Sequence, residues 1–218
     1  MIRDLFDLKE SLAGEYLAGF QYPWEALKGI KEMILDVQKT LGKEFHETAP
    51  GVFVHETAVV APSAYLGAPC IIGARTEVRH GAFIRGSALV GDDCVVGNSV
   101  ELKNVILFNH VQVPHYNYVG DSILGFYAHM GAGSITSNVK SDKKPVVIHT
   151  GTGDMQTGLK KTGAFLGDYV EVGCNSVLNP GTVIGRGSRV YPLSCVRGVI
   201  PENSIYKNSG EIAEQIKE

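Results

Sequence analysis

The chain has 218 residues, 44% of them hydrophobic, which is enough for one domain with a buried core. Twenty basic and 23 acidic side chains leave a formal charge of −3, with no basic footprint for nucleic acid and no polyacidic tail. No apolar run reaches the roughly 18 residues of a membrane span. The scattered cysteines Cys70, Cys94, Cys174 and Cys195 form no C-x-x-C pair, so neither a disulfide scaffold nor a zinc ribbon is expected, and the default location is a reducing cytoplasm.

In chain order, residues 4–19 and 23–41 read as helices, with Pro23 in a first turn and Trp24, Leu27, Ile30, Ile34 and Leu35 on one side. Residues 1–46 are expected to be a helical cap on the repeat domain that begins next. Stepping by six from Val54 meets Val60, Leu66, Ile72, Val78, Ile84, Val90, Val96, Leu102 and Phe108, often with a small residue next in the chain, such as Gly67, Gly73 or Gly91. The 26 glycines, about 12% against a usual ~7%, fit sharp bends beside these positions. No hexad buries its own apolar residue, so the turns must stack at the ~4.8 Å spacing of hydrogen-bonded strands.

The repeat breaks first at Pro114–Tyr118, which loses one residue from the register, and again over about 137–164, where Pro145–His149 suggests one strand of a hairpin arm. It resumes from Leu166 through Val196, so the repeat domain spans 47–205. The tail, 206–218, reads as a short charged helix with Ile212 and Ile216 inward. Insertions in a solenoid sit on one face, often the binding face.

The breaks collect polar side chains. With 18 residues per coil, Arg85 and Lys103 lie on one edge (103 − 85 = 18), two cations that repel by roughly 1 kcal/mol in water unless an anion sits between them. Glu101 neutralising Lys103 is the alternative. His115 has a residue type suited to taking a proton at neutral pH. Tyr118 and Asn138 add groups that hydrogen-bond a polar, phosphorylated substrate.

The hexads resemble those of the hexapeptide-repeat transferases, which implies an all-β, single-stranded left-handed parallel β-helix. Within that group, Ile84-Arg85, Val100–Lys103, His115–Asp121 and Met130–Asn138 resemble the acetyltransferase half of the bifunctional enzymes that make UDP-N-acetylglucosamine. Lys140–Gly173 and Tyr22–Leu27 are similar to the archaeal-type sugar-1-phosphate nucleotidylyltransferases that carry an acetyltransferase domain. The resemblance implies an N-acetyltransferase for glucosamine-1-phosphate or galactosamine-1-phosphate with acetyl-CoA as co-substrate. His115 falls on the general base, Arg85 and Lys103 on phosphate-binding positions, and Tyr118, Asn138 and Lys144 on sugar-contacting positions. Ala132 falls on a contact near the thioester and Cys174 on a position near the pantetheine. It further implies a homotrimer and no metal for acetyl transfer. His129, Val139, Pro192 and Leu193 depart from the family pattern.

The first 50 residues lack a glycine-rich nucleotide-binding loop, so pyrophosphorylase activity is not expected. Two other readings stand beside this one. A non-catalytic β-helix would bind a sugar phosphate, or a partner nucleotidylyltransferase, without turnover. A zinc enzyme like the γ-type carbonic anhydrases would use His110-x4-His115, but the position 36 residues before His110 is Ala74, not a third histidine.

Overall fold

The structure is a computed structural model describing residues 1–208 and 210–215. Short parallel strands stack into a left-handed β-helix of about 9 turns. The early coils hold 18 residues, with Cys70 paired to Ala88, and the middle coils 17, with Ala88 paired to Val105. The shortening lies at Lys103–Val105, because Ile84 pairs with Leu102 but Val90 with Leu107. Pro114–Tyr118, expected to lose the residue, keeps register: Val113 and Val119 both pair 17 positions back, with Val96 and Leu102. Phe108 thus falls one residue past the inward position and stacks on Phe6, ring centroids 5.1 Å apart.

The glycines beside the inward residues answer to crowding between coils rather than to bending. A Cβ on Gly73 would come within 2.5 Å of the Gly91 backbone, and one on Gly91 within 2.7 Å of the Asn109 nitrogen. The bends themselves carry side chains in the left-handed region, as at Arg75, Asp93, His110, Tyr127 and Tyr169 down one edge.

Each face of the prism has an outward column, and the three differ. On one face Ile71, Leu89, Ile106, Ile123 and Phe165 are in register and all buried. The N-terminal segment covers them, through Trp24 against Phe165, Asn104 Nδ2 donating to Leu27 O, and Gln38 Nε2 donating to Gly51 O and Cys70 O. The segment is therefore a side layer along the prism, not the end cap expected from its sequence. Burying five such side chains at roughly 1.5–3 kcal/mol each favours this placement. Its helices are shorter than expected: Ile2–Leu5, Gly14–Ala18 and Ile30–Gln38, with tight 3-10 turns at Leu8–Glu10 and Pro23–Gly29. Leu35, expected inward, is exposed, and Met33 is buried.

A second face presents Glu77, Val95, Gln112, His129, Glu171 and Arg189. The third, hereafter the open face, presents Tyr65, Phe83, Glu101, Tyr118, Ile135 and Val177. Tyr65 and Phe83 are exposed there.

The stack ends in antiparallel strands. Phe45–Ala49 runs against Val52–His55 at one end, and Ile212–Glu214 against Ser204–Tyr206 at the other. The expected C-terminal helix is thus a strand where it is described, with Ile212 exposed; Ser209 and residues 216–218, Ile216 included, lie outside the described residues. An added strand occupies the unpaired ladder groups that a bare end coil would expose. Between strands Ile135–Thr136 and Ala164–Leu166 the chain leaves the prism. Val147–Thr150 and Gly153–Gln156 pair as a hairpin there, and its Val146 and Ile148 are buried over Gly181. No helix among the described residues is long and apolar enough to cross a membrane.

Candidate functional site

His115 ends the strand Gln112–His115, at the corner leading to the open face. Gln112 pairs with His129, His129 with Glu171 and Glu171 with Arg189. By that register His115, Ala132, Cys174 and Pro192 form one column down the edge. Backbone bonds join the column: Gly133 N to His115 O at 3.0 Å, Asn175 N to Ala132 O at 2.8 Å, and Leu193 N to Cys174 O at 2.9 Å. Among the described residues the Ala132 N–H donates to no acceptor.

The corner is held from inside by Asn117, which is buried. Its Nδ2 donates to Gly131 O at 2.9 Å and Ser134 O at 3.0 Å, while its Oδ1 accepts from His115 N at 3.1 Å. An amide that satisfies backbone groups in two adjacent coils restrains the backbone bearing the imidazole. Asn117 was not singled out from the sequence, although it lies inside the His115–Asp121 motif.

Around the corner, Tyr118 and Asn138 meet over Gly120. Asn138 Nδ2 lies 3.2 Å from Tyr118 Oη and donates to Asp121 Oδ2 at 2.6 Å. Gly120 forms the floor, where a Cβ would sit 2.5 Å from Tyr118 Oη. Burial pushes the Tyr118 hydroxyl pKa up, and the carboxylates of Asp121 and Glu101 push it further, so the phenol stays protonated and able to donate at neutral pH. Beneath, the inward position is the buried hydroxyl of Thr136, whose Oγ1 accepts from Gly120 N at 2.9 Å.

Asp121 is the hub. Buried, it receives Lys103 Nζ at 3.1 Å and Asn104 Nδ2 at 2.9 Å besides Asn138. Arg85 and Lys103 lie one coil apart on one edge, as the 18-residue spacing implies. The cations are not left to share a missing anion, however: Arg85 Nη1 pairs with Glu101 at 2.9 Å, and Lys103 with Asp121. Glu101, expected from sequence as a partner for Lys103, is instead the partner of Arg85.

Lys144 is apart from this group. It lies in the inserted segment, its N–H donating to Asp142 Oδ1 at 3.0 Å, and no hydrogen bond joins it to Tyr118, Asn138 or Asp121. His129 Nδ1 lies 2.7 Å from Glu171 on the second face. His110 stacks on Tyr127 with centroids 4.3 Å apart and faces Asp93. Among the described residues no three His, Cys, Asp or Glu side chains form a group that could hold a metal ion. Cys174 and Cys195 are exposed thiols, while burial pushes the thiols of Cys70 and Cys94 up to about 12.

Comparison with known proteins adds a family. The GMPPB C-terminal domain matches residues 76–186, just over half the chain. The bifunctional protein GlmU of Methanococcus maripaludis is 30% identical over 190 residues, covering 85% of this chain and 46% of that protein. A bifunctional sugar-1-phosphate nucleotidylyltransferase/acetyltransferase of Sulfurisphaera tokodaii is 30% identical over 156 residues, 72% of this chain and 39% of that one. The chain thus spans less than half the length of either relative. A hexapeptide transferase family protein from Anaplasma phagocytophilum aligns with a TM-score of 0.44 at 16% identity, over 77% of this chain and 82% of that one. The chain belongs to the GMPPB C-terminal domain family and is a GlmU-like hexapeptide-repeat β-helix.

Proposed function

We propose that the protein is an acetyl-CoA-dependent N-acetyltransferase acting on an amino-sugar 1-phosphate, glucosamine-1-phosphate or galactosamine-1-phosphate. The observation that carries the reading is the meeting of two features at one corner. His115 stands at the head of a column running through Ala132 and Cys174, and the Tyr118–Asn138–Asp121–Lys103 network begins three residues further on.

The residues fit the coenzyme in one respect: the free N–H of Ala132, one coil below His115, suits an oxygen acceptor. Acetyl-CoA supplies an activated acyl group. Tyr118 and Asn138 bind sugar hydroxyls and orient the amine, while Arg85 and Lys103 draw in the phosphate. His115 takes the proton from the amine as the carbon–nitrogen bond forms, and the Ala132 N–H donates to the developing oxyanion. The carbon–sulfur bond then breaks, His115 passes the proton to the departing sulfur so that CoA leaves as its thiol, and the amide remains. Lys144 belongs to this site by family resemblance alone.

A homotrimer fits the unequal faces. The helical layer covers one apolar outward column, whereas the open face bearing the acceptor cluster exposes Tyr65 and Phe83, suited to a second copy. One observation favours instead the non-catalytic reading in which the β-helix docks a partner rather than a sugar phosphate: Glu101 and Asp121 already neutralise both phosphate-binding cations.

The test is release of free CoA thiol from acetyl-CoA in the presence of either amino-sugar phosphate. His115→Ala should lower kcat by about 10²-fold or more, with the fold retained. Wild type that binds sugar phosphate but acetylates neither sugar would sink the enzyme reading in favour of the binding module.

A further inference from the structure

Where the open face meets the helical layer, an open groove of about 350 Å³ is lined by residues that include Lys31, Arg85, Gly86, Ser87, Lys103 and Asn104. It joins two parts of the molecule that are far apart in the chain. Arg85 and Lys103 come from adjacent coils; Lys31 comes from the helix Ile30–Gln38. Asn104 ties the parts together, its Nδ2 lying 3.2 Å from Leu27 O in the layer and 2.9 Å from Asp121 Oδ1 in the acceptor cluster.

Two observations give the groove a chemistry. The first is charge. Arg85 is paired with Glu101 and Lys103 with Asp121, while Lys31 makes no ion pair with any described residue. Three cations against two carboxylates leave one positive charge in excess. The second is a pair of unused backbone donors. Gly86 and Ser87 turn the corner with φ of 111° and 50°, and neither N–H donates to an acceptor among the described residues. The neighbouring Ala88 and Asn104 N–H groups do find carbonyls, Pro69 O and Gly86 O. Gly86 is buried, where an N–H is ordinarily satisfied. Successive free N–H groups at a turn beside fixed cations form an anion-binding concavity.

We propose that Lys31 of the helical layer, as a third cation, and the N–H groups of Gly86 and Ser87, as neutral donors, complete the site at which Arg85 and Lys103 meet the phosphate of the acceptor; the inference rests on the amino-sugar phosphate being the acceptor. Arg85 and Lys103 alone, each held by a carboxylate, leave little net charge for a phosphate monoester. Lys31 supplies the surplus, and the backbone donors add hydrogen bonds that require no carboxylate to move. The layer that stabilises the prism thereby becomes part of its binding site.

Two measurements on the full chain separate the outcomes. Titrating inorganic phosphate while monitoring backbone amides by NMR is expected to shift Gly86 and Ser87 saturably. Lys31→Ala should weaken that binding about tenfold, the size of one charge-assisted contact. In turnover, Lys31→Ala should raise KM for glucosamine-1-phosphate by a similar factor and not KM for acetyl-CoA. Saturable shifts in a protein that acetylates neither amino-sugar phosphate would overturn the acceptor reading and keep the anion site. Turnover with KM unchanged in Lys31→Ala, or amides that do not respond to phosphate, would overturn this inference and leave the acetyltransferase standing.

Discussion

The Asp121 carboxylate accepts a 2.6 Å hydrogen bond from the Asn138 amide, which lies in the next coil just before the inserted hairpin segment. The same carboxylate holds Lys103 and Asn104, so one buried group sets the positions of three side chains from two other coils. Asp121→Ala would leave the half-buried Lys103 ammonium without its partner. We expect a loss of about 2–3 kcal/mol in stability, read from urea midpoints, and a rise in KM for the acceptor larger than any change in KM for acetyl-CoA. An unchanged acceptor KM would mean that the network is structural only.

The repeat was legible in the sequence because stacking forces it: a prism side is short, so one inward apolar residue must recur about every six positions. Scanning that single position had two blind spots. It missed the covered face, whose residues Ile71, Leu89, Ile106, Ile123 and Phe165 each sit just before an inward one; the triplets Cys70-Ile71-Ile72 and Val105-Ile106-Leu107 carried that signal. It also misplaced the loss of one residue from the register, which falls not at Pro114–Tyr118 but at Lys103–Val105 and depends on backbone hydrogen bonding there rather than on hydrophobicity. The stacking of Arg85 over Lys103 could be read from spacing. Of their carboxylate partners, Asp121 lies at the same 18-residue spacing from Lys103, whereas Glu101, 16 residues from Arg85, lies diagonally across the coils, where side-chain reach and not register decides the pair.

Phe165 tests the assignment of the N-terminal segment as a side layer. It is fully buried between the prism and the layer, 6.1 Å from the Trp24 ring. Phe165→Ala should cost about 3–5 kcal/mol and expose Trp24. Tryptophan fluorescence, which reports the single Trp24, would then shift to longer wavelength before global unfolding. Were the layer only loosely attached, the cost would fall below about 1 kcal/mol.

Asp168 fastens the same layer, its carboxylate accepting from Asp7 N at 2.7 Å and Phe126 N at 2.9 Å and pairing with Arg186 at 3.1 Å. Burial nevertheless raises its pKa above the ordinary aspartate value, outweighing the backbone N–H groups and Arg186, which lower it. A raised carboxyl pKa means that the folded chain binds the proton more tightly than the unfolded chain. This contribution to stability is therefore largest below the unfolded pKa of about 3.9 and falls as pH rises through the folded value. Urea unfolding at a series of pH values should show that decline, and Asp168→Asn should flatten it. A contribution that rises over the same window would mean that the hydrogen bonds outweigh desolvation.

Glu101 offers the sharpest test of what the stacked cations do. Arg85 and Glu101 are both solvent-accessible at 47% and 35% of their side-chain surfaces, so their 2.9 Å ion pair contributes little to folding, about 0–1 kcal/mol. Removing the carboxylate should barely alter stability while freeing the guanidinium for a bidentate grip on an incoming phosphate. Glu101→Gln is therefore expected to lower KM for the amino-sugar phosphate several-fold and to make it more sensitive to added salt, because a less screened cation attracts the anion. The opposite outcome carries equal information. If KM rises, Glu101 serves to aim Arg85 rather than to occupy it, and the pair works as a unit that a phosphate joins without displacing the carboxylate.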